Sequence, residues 1–182
     1  MSSSQNSQYV EVRTESIHEK GIFAKQDISK GARIIQYIGE KISKTEAWNR
    51  LDKIENEADK QGVTGKYYVF ELNKHWDIDG DVPENDAKYL NHSCDANCEI
   101  ENNKKEIWIV AMRDIKKGEE LTYDYGFTFD KNDYQKYPCY CNSQKCIGYI
   151  IDGDDLPKFQ EHLEKLAKKT KEVKSKYLLT PN

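Results

Sequence analysis

The stretch Tyr89-Leu90-Asn91-His92-Ser93-Cys94-Asp95-Ala96-Asn97-Cys98 decides how this chain is read. It is short, polar at its centre and dense in groups that need partners. Asn91 offers an amide acceptor and two donors, His92 a donor and an acceptor, and Cys94 a thiolate. An isolated Asn-His loop would be satisfied by its own backbone. Two further stretches argue otherwise: Gly118-Glu119-Glu120-Leu121-Thr122-Tyr123-Asp124-Tyr125-Gly126-Phe127 and Pro138-Cys139-Tyr140-Cys141-Asn142-Ser143-Gln144-Lys145-Cys146. Taken together, the three read as a reactive site with a zinc knot beside it.

The cysteines carry the metal part of that reading. There are five, without a secretory signal in the polar start Met1-Ser2-Ser3-Ser4-Gln5-Asn6-Ser7-Gln8, and this favours metal over disulfides. Three are packed as C-x-C-x4-C at Cys139, Cys141 and Cys146, too close for an ordinary disulfide framework. An odd total suits four ligands and one spare. With 182 residues the chain makes one domain and an appendage. No apolar run reaches membrane-spanning length, so an intracellular, nuclear or cytoplasmic, protein is expected, with a secreted effector left open. A net charge of -4 argues against direct nucleic-acid binding and permits a basic peptide as partner.

Hydrophobic periodicity gives the local structure. Residues 1–8 read as a disordered tail. Alternation predicts strands at Tyr9–Thr14, Ile22–Lys25 and Arg33–Ile38, then Tyr67–Leu72, His75–Ile78, Asn97–Glu101 and Glu106–Met112. Between them Ser43 and Glu46 make a capping box for a helical insert over about 43–62, with Ala47, Leu51, Ile54 and Ala58 on one face and Gly62 as its stop. Asp154 or Asp155 caps a last helix carrying Pro157 in its first turn. Its stripe of Leu156, Phe159, Leu163, Leu166, Val173 and Tyr177 either docks on its own domain, the preferred reading, or pairs with a dimer mate or partner helix.

At this point the chain resembles the SET-domain protein-lysine methyltransferases. Their Asn-His-Ser-Cys segment is matched by Lys88 to Cys98, their Gly-Glu-Glu-Leu segment by Gly118 to Tyr125, and their post-SET C-x-C-x4-C by Cys139, Cys141 and Cys146. Their Tyr-x-Gly-Glu segment is matched by Tyr37-Ile38-Gly39-Glu40, and all four occur in the family's order. The resemblance implies a mainly β, β-clip (SET) fold with several small sheets around a pseudoknot. The implied boundaries are a SET domain at 9–130, a zinc-bound post-SET segment at 131–153 and a C-terminal helix at 154–182. No cysteine precedes Tyr9, so the cysteine-rich pre-SET cluster of some members is not expected.

The resemblance also assigns roles. Zinc is held by Cys139, Cys141, Cys146 and, as the fourth ligand, Cys94; Cys98 remains a core thiol. S-adenosylmethionine is the implied cofactor, held by Asn91 and His92 and by the Lys20-Gly21 turn, with Tyr68, Lys88, Tyr89, Phe127 and Tyr149 around it. The family's first turn glycine is replaced by Glu19, although Lys20 still reaches for a carboxylate. Tyr149 stands where relatives place an aromatic over adenine. Tyr125 is the implied catalytic tyrosine, orienting amine and methyl rather than acting as a strong base; Tyr37 and Tyr68 wall the lysine channel. Tyr123 sits at the family's Phe/Tyr position and implies mono- or dimethylation.

The substrate expected from this resemblance is a lysine in a basic protein tail, a histone among the candidates, and Asp77, Asp79 and Asp81 are acidic groups that would favour one. Two rival readings stand beside it. A SET-like module that only binds basic peptides does not need Tyr125, Asn91 and His92 together. A purely structural zinc domain leaves both tyrosine segments unexplained.

Overall fold

The computed structural model describes residues 7–14, 20–61 and 66–178, with side chains described as far as residue 171. Most of the tail at 1–6, Glu19, the helix stop Gly62 and the side chains of Val173 and Tyr177 lie outside the described residues. The chain folds as two compact units, one of Met1–Asp124 with Cys141–Cys146, the other of Tyr125–Tyr140 with Ile147–Asn182.

The first unit is mainly β. Strands β1 (Val10–Arg13), β2 (Gly21–Ala24) and β3 (Arg33–Tyr37) fall where alternation places them. So do β5 (Val69–Glu71), β6 (Trp76–Asp79), β8 (Cys98–Asn102) and β9 (Ile107–Ala111). Three strands have no such signal: β4 (Glu40–Ser43), β7 (Asn91–His92) and β10 (Glu120–Tyr123). They are short, and their pairing is supplied from distant parts of the chain. A seven-stranded sheet runs β1-β2-β10-β8-β9-β3 with β7 also paired to β10, and a three-stranded sheet runs β4-β6-β5.

Strand β10 is where partners change. Glu120 and Leu121 pair antiparallel with Phe23 and Ile22, while Thr122 and Tyr123 pair parallel with Asn91 and His92. Tyr123 is also opposite Cys98 of β8. Asn97, only 3% exposed, bridges the change. Its amide nitrogen donates to the Glu120 carbonyl at 2.8 Å and its carbonyl accepts from the Thr122 N–H at 2.9 Å. One side chain thus stands in for a missing strand residue, satisfying backbone groups whose unpaired burial would cost about 1–3 kcal/mol each. Beneath it Ile22, Ile28, Leu90, Cys98, Ile107, Ile109, Ile115 and Leu121 are almost wholly buried.

Helix α1 (Lys44–Gln61) begins as its sequence directs, the Glu46 N–H donating to Ser43 Oγ at 3.2 Å. The reciprocal half of the capping box is replaced: Glu46 turns to Arg50, 2.7 Å away, where a charge-assisted bond is stronger than one to a backbone N–H. Ala47 and Ala58 are buried against the unit, and Leu51 and Ile54 partly so.

The second unit has its own aromatic core of Tyr134, Ile151 and Phe159 with Phe129, Ile147, Tyr149 and Leu156. Helix α2 (Leu156–Leu178) docks on it by its first turns; Leu163 and Leu166 remain 41% and 42% exposed. A 3-10 turn at Gly153–Asp155 leads into α2, capped by Asp152, whose carboxylate accepts from the Asp154 N–H at 2.8 Å, and Asp155 stands immediately before Leu156. The Asp155 carboxylate accepts from the Phe129 N–H and pairs with Lys158. Among the described residues no helix is long and apolar enough to cross a membrane.

Gly80 lies tightly against a site residue. A Cβ there would lie 2.2 Å from the Tyr37 hydroxyl oxygen, and Tyr37, 4% exposed, has little room to yield. Gly80→Ala is therefore expected to destabilise the fold by about 1–3 kcal/mol. Thermal unfolding followed by circular dichroism checks this, and an unchanged midpoint would show the ring free to move.

Candidate active site and metal centre

The site residues of the first unit form one connected set. Tyr37 donates its hydroxyl to the Tyr68 carbonyl at 2.8 Å, so that phenol is fastened to the residue just before β5. The Tyr37 ring packs on Phe70 at 4.5 Å, and Phe70 reaches Tyr123 at 5.9 Å, giving an aromatic row. Burial pushes the Tyr68 phenol up and keeps it protonated. Lys88 lies over the Tyr68 ring at 5.7 Å and over Tyr89 at 5.5 Å, and Lys20 covers Tyr89 at 4.4 Å. Two ammonium groups share one electron-rich ring.

Asn91 and His92 sit on β7, where successive side chains face opposite ways. The Asn91 amide donates to the Lys20 carbonyl at 3.1 Å and to Glu120 Oε1 at 2.8 Å, fixing the Lys20-Gly21 turn. A Cβ at Gly21 would meet Glu120 Oε1 at 2.8 Å and the Asn91 amide at 3.3 Å, so a larger residue would displace the Glu120 carboxylate from Asn91. His92 points the other way. Its Nε2 is 3.5 Å from Cys94 Sγ and its Nδ1 is 3.5 Å from Asp124 Oδ1. Burial holds its pKa below the ordinary imidazole range, and the Asp124 carboxylate partly offsets this.

The sulfur atoms of Cys94, Cys139, Cys141 and Cys146 all lie within 4.8 Å of one another. Four sulfurs about a tetrahedral zinc, at about 2.3 Å each, are separated by about 3.8 Å. Donor type and spacing therefore fit a structural zinc ion after a small contraction. Cys94, Cys141 and Cys146 belong to the first unit, and Cys139 stands two residues before Cys141 along the chain. The Lys145 ammonium pairs with Asp95 at 2.7 Å, holding the Cys146 turn to the Cys94 turn. Cys98 is separate: burial pushes its thiol up to about 12, which suits a core residue and not a thiolate ligand.

In the second unit the Tyr125 and Phe127 rings pack at 5.9 Å, and Phe127 meets Tyr137 edge-on at 5.1 Å. Tyr149 lies in the aromatic core, 4.8 Å from Tyr134 and 5.8 Å from Phe159. Sequence reasoning missed Phe70, Glu120, Asn97 and Asp124. The first was legible, since it stands two residues from Tyr68 on a strand and so shares its face. The acidic run is not a set of spare charges. Asp77 is held by Lys44 at 2.6 Å, Asp79 by Arg50 at 2.7 Å and Asp81 by Lys88 at 3.1 Å.

Comparison with known proteins agrees with this arrangement. Residues 19–126 match the family described as SET domain. The chain is 38% identical over 157 residues to human "Histone-lysine N-methyltransferase 2D", covering 79% of this chain and 3% of that protein. It is 37% identical over 146 residues to "Histone-lysine N-methyltransferase trithorax" of Drosophila virilis, covering 78% and 4%. Against "Histone-lysine N-methyltransferase, H3 lysine-4 specific" of Saccharomyces cerevisiae it is 36% identical over 138 residues, covering 74% and 12%. The chain thus spans a small fraction of the length of these relatives.

Titration of the metal-free chain with Zn2+ should saturate at about one ion per chain, the load of one four-thiolate site. Cys146→Ser should lower that occupancy and Cys98→Ala should not. Equal occupancy in all three proteins, by elemental analysis, would remove the cluster as the metal centre.

Proposed function

The chain belongs to the SET-domain family, and on that premise we propose that it is an S-adenosylmethionine-dependent protein-lysine N-methyltransferase acting on a basic protein tail such as a histone's. The observation that carries the proposal is the register of β7 against β10. Asn91 is opposite Thr122 and His92 opposite Tyr123, which brings the Lys20-Gly21 turn and the aromatic row onto neighbouring strands. The names of the relatives support the substrate class. That substrate class implies an intracellular, chromatin-associated place of action.

S-adenosylmethionine, when bound, supplies a methyl group on a sulfonium, ready for displacement by an amine. The chain's residues fit such a group. The side-chain-free turn at Gly21 allows close approach, Lys20 offers a cation for a carboxylate, and Asn91 holds the turn in place. In this reading Tyr68, Lys88 and Tyr89 complete the same side and His92 contributes through its backbone; Phe127 and Tyr149 join the cofactor set by family resemblance.

Lysine arrives as an ammonium and has no lone pair to attack with. The aromatic walls of Tyr37, Phe70 and Tyr123 disfavour the charged form, because they replace water with groups that solvate a cation less well. Tyr37 acts as a fixed wall, its hydroxyl being held by the Tyr68 carbonyl. Tyr125 orients the neutral amine through its hydroxyl, and alignment rather than proton abstraction supplies most of the rate gain. Tyr123 presents a hydroxyl in the row, so water held there fills the space that a second or third methyl would need. Monomethylation, with some dimethylation, is the proposed outcome.

Transfer from labelled S-adenosylmethionine to histones and to whole-cell extract should label a lysine, and Tyr125→Phe should reduce the rate by about 100-fold, the usual scale for a lost alignment. Cofactor binding without turnover in the wild type would instead favour a peptide-binding module. A second measurement concerns product. Mass spectrometry of Tyr123→Phe products should show more di- and trimethyl-lysine, and an identical methylation ladder would reject the role given to that hydroxyl.

A further inference from the structure

The His92 ring faces away from the Lys20-Gly21 turn, and its surroundings assign it other work. Its side chain is 5% exposed, so water has little access to complete its hydrogen bonds. Its Nε2 lies 3.5 Å from Cys94 Sγ, an ordinary length for a bond to sulfur. The opposite edge of the ring lies against Asp124, 3.5 Å away. We infer that His92 is a positioning residue of the metal centre, its Nε2–H donating to the Cys94 sulfur. A metal-bound thiolate has only acceptor capacity, so a buried N–H donor is the partner it calls for.

The surrounding turn supports this role. The Ser93 N–H donates to the Tyr123 carbonyl at 3.2 Å, and Ser93 Oγ accepts from the Asp95 N–H at 3.1 Å, so Cys94 is held on both sides. Cys141 has a comparable neighbour, Ser143 Oγ at 3.4 Å from its sulfur. His92 is also the register partner of Tyr123. The same residue therefore connects the strand that ends at Tyr123 to a metal ligand, and loss of the metal should be felt on that strand.

This inference rests on the four-cysteine site holding zinc and not on methyl transfer, so the two fail separately. The test is zinc affinity, measured by competition with a chromogenic chelator at one pH, for wild type, His92→Leu, His92→Gln and His92→Asn. The Gln amide reaches the position of Nε2, whereas the Asn amide reaches only that of Nδ1. His92→Leu and His92→Asn should each bind zinc about 10–100-fold more weakly than wild type, and His92→Gln within about threefold of it. Equal affinities for Gln and Asn would overturn the inference, and that pair decides the matter even if the Leu variant does not fold. Substitution with Co2+ adds a second readout, since an S4 spectrum kept in His92→Gln excludes His92 as a direct ligand. A Co2+ spectrum that loses a nitrogen contribution in that variant would overturn the positioning role, as would a wild-type chain that takes up no zinc.

Discussion

The Asn97 amide is the interaction on which the rest of the first unit depends. A four-residue strand, β10, must pair with β2 through its first half and with β7 and β8 through its second. No single neighbouring strand can follow both. Asn97 supplies the missing donor and acceptor from a side chain, at Glu120 and Thr122, and does so away from water. In a medium of low polarisability such a bond is strong when made and costly when lost. The positions of Tyr123 and Asp124 follow from it, being the next residues along the chain.

Strand β7 adds a second economy. It has two residues, and the period of a strand sends their side chains to opposite faces. Asn91 reaches the backbone of Lys20, and His92 reaches Cys94 and Asp124. A dipeptide thereby joins the turn proposed to hold the cofactor to the cysteine cluster. Its backbone spends its remaining capacity on β10, and no described residue near it is left without a partner among the buried side-chain polar atoms.

Charge is distributed with the same restraint. The acidic residues of β6 and the segment after it are matched to Lys44, Arg50 and Lys88, so the local field is weaker than the sequence implies. Lys88 is the tightest case, with a side chain only 10% exposed and bonds to both Asp81 and the Val82 carbonyl. Its ammonium is thereby anchored near Tyr68 and Tyr89. Attraction of a basic substrate cannot be credited to those aspartates alone, since each already has a cation beside it.

Most strands and both helices were legible because alternation, caps and turn residues act over a few positions. The cysteine set was legible because C-x-C-x4-C leaves little else for its thiols to do, and the fourth member came through resemblance. Strands β4, β7 and β10 were not, because two to four residues carry no periodicity and their partners lie up to a hundred residues away. The Phe129 N–H as a partner of Asp155 was not legible either, because it lies 26 residues away along the chain. By itself the sequence determined the mainly β class, the family and the cysteines that cluster. Only the tertiary structure decided which way each polar side chain faces, as with His92 toward a cysteine and Asn91 toward a turn. Residue type fixes what a group can bond to, but geometry set by distant strands fixes which of those bonds is made.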